Sequence, residues 1–411
     1  MSIIQEQKTV LLLGGSRDQL FLIKTANQMG LYTVVVDGNP ASVGFDIADD
    51  YSVVSTMDLD ALKAFVDEYQ SQQRKIDAVC VMGSDISQYV AQLAAYINVP
   101  HIPVEAAIIA TNKLKMKQCF EHHGVEIPWF SLLISANHLA DIVAQRGLPL
   151  IIKPLDRSGA RGVFLLTEAS DLNALYNTAK AESFCGEVMV EEYLAGPQIS
   201  TETIMYQGHA YTPGYVDRNY EMLSRFAPNI IENGGWQPSL IQGEQRQKVE
   251  TLIEQAALAL GVTDGVIKGD IVYTELGPKV IEVATRLSGG DFSESLVPLG
   301  LGINYVEAAL KIALGEQPEL DKLTPVIDTA VANRYFFPAP GKVISISGIE
   351  TVREKDFVKK LDIWYQVGDI VPETTSHASR FGVFIVTADN RQQLERRVKW
   401  VYDTLNIETS V

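Results

Sequence analysis

The first hundred residues alternate short apolar runs with amphipathic stretches, and that order leaves few folds open. Thr9 to Leu13 reads as a buried strand, followed by Gly14-Gly15-Ser16 and a helix from about Asp18 to Met29. Tyr32 to Val36 is a second strand, closed by the turn Asp37-Gly38-Asn39-Pro40. Asp58 is placed to cap a helix running to about Tyr69. Ile76 to Met82 gives a third strand and Asp85 to Ile97 a third helix. Strands alternating with helices in this way imply a parallel sheet with right-handed crossovers.

The glycine turn reads Gly14-Gly15-Ser16-Arg17-Asp18 rather than G-x-G-x-x-G. The dinucleotide fingerprint is therefore incomplete, and such a sheet can exist without that cofactor. From Asn112 to Gly124 the pattern is a basic amphipathic helix carrying Lys113, Lys115 and Lys117. Leu148 to Lys153 is a strand, Val163 to Leu166 another, Glu168 to Ala181 a helix and Glu187 to Glu192 a strand. A long helix spans Gln245 to Leu260, and a hairpin spans about Lys268 to Val283. Beyond Glu316 the pattern is β-rich, with strands near Asp328 to Phe336 and Phe381 to Thr387 and a closing helix at Arg391 to Thr404.

The 411 residues exceed one compact core, so two or three domains are expected. Fifty-one acidic residues against 34 Lys and Arg give a formal charge of −17, a field that repels nucleic-acid backbones. Any phosphate site has to be built locally from a few cations and backbone N–H groups. No apolar run reaches the ~18 residues that span a bilayer, and MSIIQEQKTV has no signal-peptide pattern. Cys80, Cys119 and Cys185 are odd in number and widely spaced, and no His/Cys spacing indicates zinc. A cytoplasmic protein with no nucleic-acid or membrane partner is the expectation.

Two local features carry chemistry. After Lys153 comes the loop Leu155-Asp156-Arg157-Ser158-Gly159-Ala160-Arg161-Gly162. Glycines there let backbone N–H groups approach phosphate oxygens; the other reading is an ordinary hairpin with solvated charges. The second feature is the hairpin Gly269–Tyr273, Glu275-Leu276-Gly277-Pro278, Val280–Arg286. With the turn centred on Leu276, Asp270 faces Glu282 and Lys268 faces Ala284. Like charges across a ladder repel, and a divalent cation accepting carboxylate oxygens removes the penalty. Two exposed acids on a solvated face are the alternative. Arg286 shares the face by the period of two.

Taken together these pieces resemble the ATP-grasp superfamily, in its carbon–nitrogen ligase and carboxylase branch. The resemblance rests on Val35–Pro40, Gly83-Ser84-Asp85, Asn112-Lys113 leading to Gly124–Pro128, Pro149–Pro154, Glu191–Pro197 and Glu282–Arg286 in that order. It implies an α/β protein: a Rossmann-like parallel-sheet domain over 1–110, an ATP-grasp domain over 111–315 with a lid at about 125–192, and a small β-rich domain over 316–411. It further implies that Lys113 and Lys153 contact ATP phosphates, and that Ser158, Gly159, Ala160 and Gly162 belong to the loop that closes over them. Glu191, Glu192, Tyr193 and Leu194 match the hinge reading the adenine, Glu192 and Leu194 through backbone groups. Asp270 and Glu282 match magnesium-binding acids, with Mn²⁺ as the alternative ion. Arg286 matches an arginine that meets the substrate carboxylate or the phosphoryl group.

There are two departures from the pattern. The ribose-binding acid is Gln198, which still accepts a hydroxyl hydrogen bond, and the usual asparagine metal ligand is Ala284, which cannot coordinate. Lys268, facing Ala284, either supplies a fixed charge to the phosphoryl group or pairs with Asp270 or Glu282. The segment Tyr215 to Gln237, carrying Arg218, Tyr220, Arg225, Glu232, Asn233 and Trp236, is the expected specificity region, with Arg218 and Trp236 as substrate residues. The implied reaction joins a small-molecule carboxylate to an amine through an acyl phosphate; the sequence leaves the oligomeric state open, a homodimer being one common arrangement among soluble enzymes. The rivals are a bicarbonate-using carboxylase, a formyl-transferring purine-type enzyme and a catalytically silent nucleotide-binding scaffold.

Overall fold

Residues 7–410 are described by the computed structural model; Met1–Glu6, where the reading of the N-terminal segment begins, and Val411 lie outside it. The apolar run Thr9–Leu13 is buried along its whole length and forms β1. It is flanked by β2 (Tyr32–Asp37), β3 (Asp50–Val53) and β4 (Ala78–Cys80) in a four-stranded parallel sheet of order β3-β2-β1-β4. Helix α1 (Leu20–Gln28) connects β1 to β2, α2 (Leu59–Gln72) connects β3 to β4 and α3 (Ser87–Tyr96) follows β4; the Asp58 carboxylate accepts the Ala61 N–H at 3.0 Å, capping α2. Two further helices, α4 (Val104–Thr111) and α5 (Lys113–His122), lead out of this unit, and Asn112 caps α5 by accepting from Lys115 N–H.

The third strand is shorter than its apolar run. Beyond Cys80 the chain leaves the sheet, and Met82 instead makes a parallel bridge to Leu287, with Gly83 N–H donating to Leu287 O at 3.0 Å. The departure needs Gly83, at φ +74°, and a Cβ on Gly289 would lie 2.8 Å from Gly83 Cα. Two backbones touch here because neither residue has a side chain.

A second sheet, order β5-β8-β6-β7, is built from β5 (Phe130–Leu133), β6 (Leu150–Pro154), β7 (Phe164–Leu166) and β8 (Val188–Glu192). It therefore lies within the stretch expected to be the lid.

The largest sheet has eight strands. β9 (Gln198–Tyr206), β10 (His209–Arg218), β11 (Gly235–Gln237), β12 (Gly265–Thr274) and β13 (Gly277–Ala284) come from the middle of the chain. The last part supplies β14 (Ala330–Tyr335), β15 (Gly341–Ser347), β16 (Val358–Ile363), β17 (Ile370–Val371), β18 (Gly382–Ala388) and β19 (Asn406–Thr409). The large sheet runs β13-β12-β9-β10-β11-β14-β18-β16, and only β15, β17 and β19 form a small sheet of their own. The expected division at 315 thus cuts through one sheet. The joint is the pairing of Trp236 with Ala332 across β11 and β14, which side-chain patterning along either strand cannot reveal. Among the described residues, no helix is long and apolar enough to cross a membrane.

The close approach at Gly83 and Gly289 generates a stability test. Gly289→Ala pushes a methyl group against backbone and is expected to cost about 1–3 kcal/mol, read as a lower midpoint in denaturant unfolding. Unchanged stability would mean that this seam is not held at the separation described.

Candidate active site

A cavity of about 410 Å³ lies where the second sheet (β5-β8-β6-β7), the large sheet and the glycine loop meet. A second lobe of about 370 Å³ shares Asp85, Lys113, Arg157, Ser158, Lys268, Glu282 and Arg286 with it and reaches the N-terminal unit.

At one end stands a buried lysine pair. Lys153 on β6 and Glu191 on β8 are diagonal neighbours on one sheet face, since Ile151 pairs with Glu191 and Lys153 with Met189. Lys153 Nζ donates to Glu191 Oε1 at 2.5 Å, and Lys117 Nζ from α5 lies 3.3 Å from Glu191 Oε2. Lys117 also donates to Val280 O at 3.2 Å, and its side chain is completely buried. Burial pushes the Lys117 ammonium down to about 8, although the Glu191 charge opposes the shift. For Glu191 burial acts upward, but Lys117 and Lys153 hold it below the usual carboxylate range. The Glu191 carboxylate is thus shared between two lysines at the wall of the cavity. Glu192 N–H is spent on Trp129 O, while Tyr193, Leu194 and Gln198 line the cavity.

Ser158, Gly159 and Ala160 of the loop Ser158–Gly162 also line the cavity. Gly159, Ala160 and Gly162 all have positive φ, so its backbone turns back on itself. Ala160 takes this conformation, at φ 58°, without being glycine, a strain of the kind that collects at functional loops. Lys113 Nζ donates to Arg157 O at 2.9 Å and lies 3.5 Å from Glu282 Oε2, spanning loop and hairpin.

Asp270 and Glu282 do face each other across β12 and β13, and Lys268 faces Ala284. The route to that register differs from the simple turn. Thr274 pairs with Gly277 and Ile271 with Val280, and a bulge at Ile281 then restores the alignment. Without the extra residue Glu282 would point to the opposite face. The expected repulsion is already offset. Asp270 is paired with Lys268 and lies 3.2 Å from Arg218 Nη2, and Ser200 Oγ donates to it at 3.4 Å. Burial would raise both carboxyls, yet the surrounding cations hold both below the ordinary range. Lys268 thus takes the pairing alternative in this state.

Two ionised carboxylates on one ladder are hard oxygen donors of the kind Mg²⁺ accepts while keeping water and phosphate oxygens. Among the described residues no cluster of three or more His, Cys, Asp or Glu forms a metal cage. The donor set fits an ion shared with a nucleotide, and Ala284 adds nothing to it.

Arg286 closes the far side. Its Nε and Nη2 donate to Asp85 Oδ1 at 3.0 and 2.6 Å, so the Gly83-Ser84-Asp85 segment enters the site from the N-terminal unit. The expected specificity segment divides. Arg218 and Tyr220 line the cavity, and Glu232 pairs with Arg218 and lies 3.4 Å from Arg380. Arg225 donates to Phe337 O, and Asn233 binds Tyr335 N–H, so both serve the framework. Trp236 is not at the site. Strand alternation turns it to the other face, between the guanidinium groups of Arg334 and Arg391 at 3.6 and 3.8 Å.

Sequence reasoning missed the roles of Lys117, Asp85 and His377. Lys117 sits four residues after Lys113, on the same helix face, which is a readable signal. Asp85 lay in a segment already singled out. His377 comes from the last part of the chain and had no local signal.

The pH dependence of stability tests the buried lysine. The unfolded chain keeps the Lys117 proton to its ordinary value of 10.5, and the folded chain releases it at about 8. Between these values the unfolded state binds more protons, so this residue's contribution to stability rises with pH, by up to about 3 kcal/mol. Lys117→Met is expected to flatten that rise in unfolding measured from pH 7.5 to 10.5. An unaltered slope would place the titration elsewhere.

Comparison with known proteins fits this geometry. Residues 110–290 match the ATP-grasp domain model, and residues 334–410 match L-amino acid ligase C-terminal domain 2. An uncharacterized protein of Sinorhizobium fredii is 24% identical over 93% of this chain and 79% of its own. The L-arginine-specific L-amino acid ligase of Bacillus subtilis is 23% identical over 76% of this chain and 75% of its own. The L-amino acid ligase structure from Bacillus licheniformis superposes with a TM-score of 0.83 at 20% identity, covering 98% of this chain and 99% of that one, and so shares the fold. The chain thus carries an ATP-grasp domain over residues 110–290 followed by an L-amino acid ligase C-terminal domain over 334–410, and it is a carbon–nitrogen ligase enzyme.

Proposed function

We propose that the protein joins the carboxylate of an amino acid to an amine, using ATP to make an acyl phosphate. The observation that carries this reading is the Arg286–Asp85 pair where the two lobes meet. It sets a planar cation and a carboxylate side by side, the complement of a group bearing both a carboxylate and an ammonium. The L-amino acid ligase similarities support the same substrate class.

In this reading Lys113 and Lys153 hold the ATP phosphates, and Tyr193, Leu194 and Gln198 hold the nucleoside. The carboxylate oxygen attacks the terminal phosphorus and ADP leaves. The amine then attacks the acyl carbon, the C–N bond forms, and phosphate departs with the electron pair of the C–O bond and takes up the proton lost from the nitrogen. Asp270 and Glu282 would hold Mg²⁺, which when bound supplies charge neutralisation to the phosphates. The Ser158–Gly162 loop covers the mixed anhydride, and water that would hydrolyse it is excluded.

The test is release of ADP and phosphate from Mg-ATP in the presence of pooled amino acids, compared with bicarbonate and formate, with products weighed by mass spectrometry. Amino-acid-dependent release with an amide product is expected; release driven by bicarbonate alone would overturn the reading. Arg286→Lys is expected to lose about 100-fold in kcat/KM, about 2.7 kcal/mol, because an ammonium cannot replace a fork that binds two oxygens. Near-normal activity in that variant would remove Arg286 from direct substrate binding.

A further inference from the structure

The cavity contains one imidazole, and it comes from outside the ATP-grasp-matching stretch. His377 lies in the short helical turn His377–Ser379 between β17 and β18, within the C-terminal matching region. Its backbone N–H donates to Gly159 O at 3.0 Å, so the turn is tied to the glycine loop. Its ring is tied on the other side. Glu232 N–H donates to His377 Nε2 at 3.3 Å.

That second bond decides the tautomer. A nitrogen that accepts a backbone N–H carries no hydrogen of its own, so in the neutral ring the hydrogen sits on Nδ1. Nδ1 has no protein partner among the described residues, and the residue lines the cavity. The charges that act on it most strongly are cationic: Arg380 on its own segment, Arg218 on β10, Arg161 on the glycine loop and Lys268 on β12, with the Glu232 carboxylate nearby paired to Arg218. Burial, and then these cations, press the imidazole well below its ordinary value, which keeps the ring neutral. A neutral ring with a capped Nε2 is a fixed donor and cannot serve as a proton acceptor at Nδ1.

We propose that His377 Nδ1–H is a catalytic hydrogen-bond donor to an oxygen of the transferring phosphoryl group, delivered by the C-terminal part of the chain to the phosphate end of the site. Two placements support this. The His377 backbone N–H is bonded to Gly159 O of the loop proposed to cover the phosphates, and the ring's Nε2 partner is the backbone N–H of Glu232, whose side chain pairs with Arg218, itself paired with Asp270. No proton changes hands at this residue. The donor is oriented before the reaction and strengthens its bond as charge builds on the phosphoryl oxygens.

The inference rests on the ligase reading, so its test has an arm independent of turnover. Nitrogen-15 NMR of the full chain, alone and with magnesium and a non-hydrolysable ATP analogue, reads the tautomer and the Nδ1–H shift. The Nδ1–H tautomer, with that proton moving downfield when nucleotide binds, is expected. The Nε2–H tautomer, or no change on binding, overturns the proposal whether or not amide is formed. In turnover, His377→Ala is expected to lose about 100-fold in kcat with nucleotide affinity little changed. His377→Asn, whose amide N–H replaces Nδ1–H, is expected to recover most of that loss. Wild-type kcat in the alanine variant, or failure of asparagine to recover more than alanine, contradicts a donor role. An acidic limb in the wild-type pH–rate profile that disappears in the asparagine variant would make His377 a base instead.

Discussion

Asp270 and Glu282 face each other across a single ladder, Asp270 buried and Glu282 partly open to the cavity. Like charges placed opposite each other, one of them out of water, need counter-charge. The compensation comes from separate parts of the chain: Lys113 at the start of α5, Lys153 at the end of β6, Arg218 at the end of β10 and Lys268 on β12. The hairpin therefore closes as a site only when both the second sheet and the large sheet are in place. A chain with a formal charge of −17 thus brings four cations together around one hairpin.

The same logic extends outward. Lys153 needs Glu191 to fix it, and Glu191 needs Lys117 for its second oxygen. Lys117 reaches past Glu191 to Val280, beside the bulge that turns Glu282 inward. The lysine cage and the hairpin register are thus one connected piece of structure. On the N-terminal side, the contact of Gly83 with Gly289 brings Asp85 to Arg286. On the C-terminal side, β14, β16 and β18 extend the large sheet, and the turn at His377 meets the glycine loop.

What could be read from sequence was the local periodicity. The strand–helix alternation, the capped α2 and the closing helix Arg391–Thr404 follow from pattern alone. The facing of Asp270 with Glu282 was legible too, although the turn and the bulge each shift the register and their effects cancel. The buried role of Lys117 was not legible, because a lysine on a basic helix face looks solvated until Glu191 is brought against it. Trp236 looked like a substrate residue because aromatic rings serve that purpose. Which face of β11 it occupies depends on the pairing with β14, nearly a hundred residues away. His377 is the extreme case, since its place in the site is set entirely by how the last strands fold back on the lid.

The central claim is that this cation-lined cavity transfers a phosphoryl group to a carboxylate. The most direct measurement supplies amino acids labelled with oxygen-18 in the carboxylate, together with Mg-ATP, and analyses the released phosphate by mass spectrometry. Attack of the carboxylate on the terminal phosphorus leaves one labelled oxygen in each phosphate formed with amide. Amide formation with unlabelled phosphate would contradict the account.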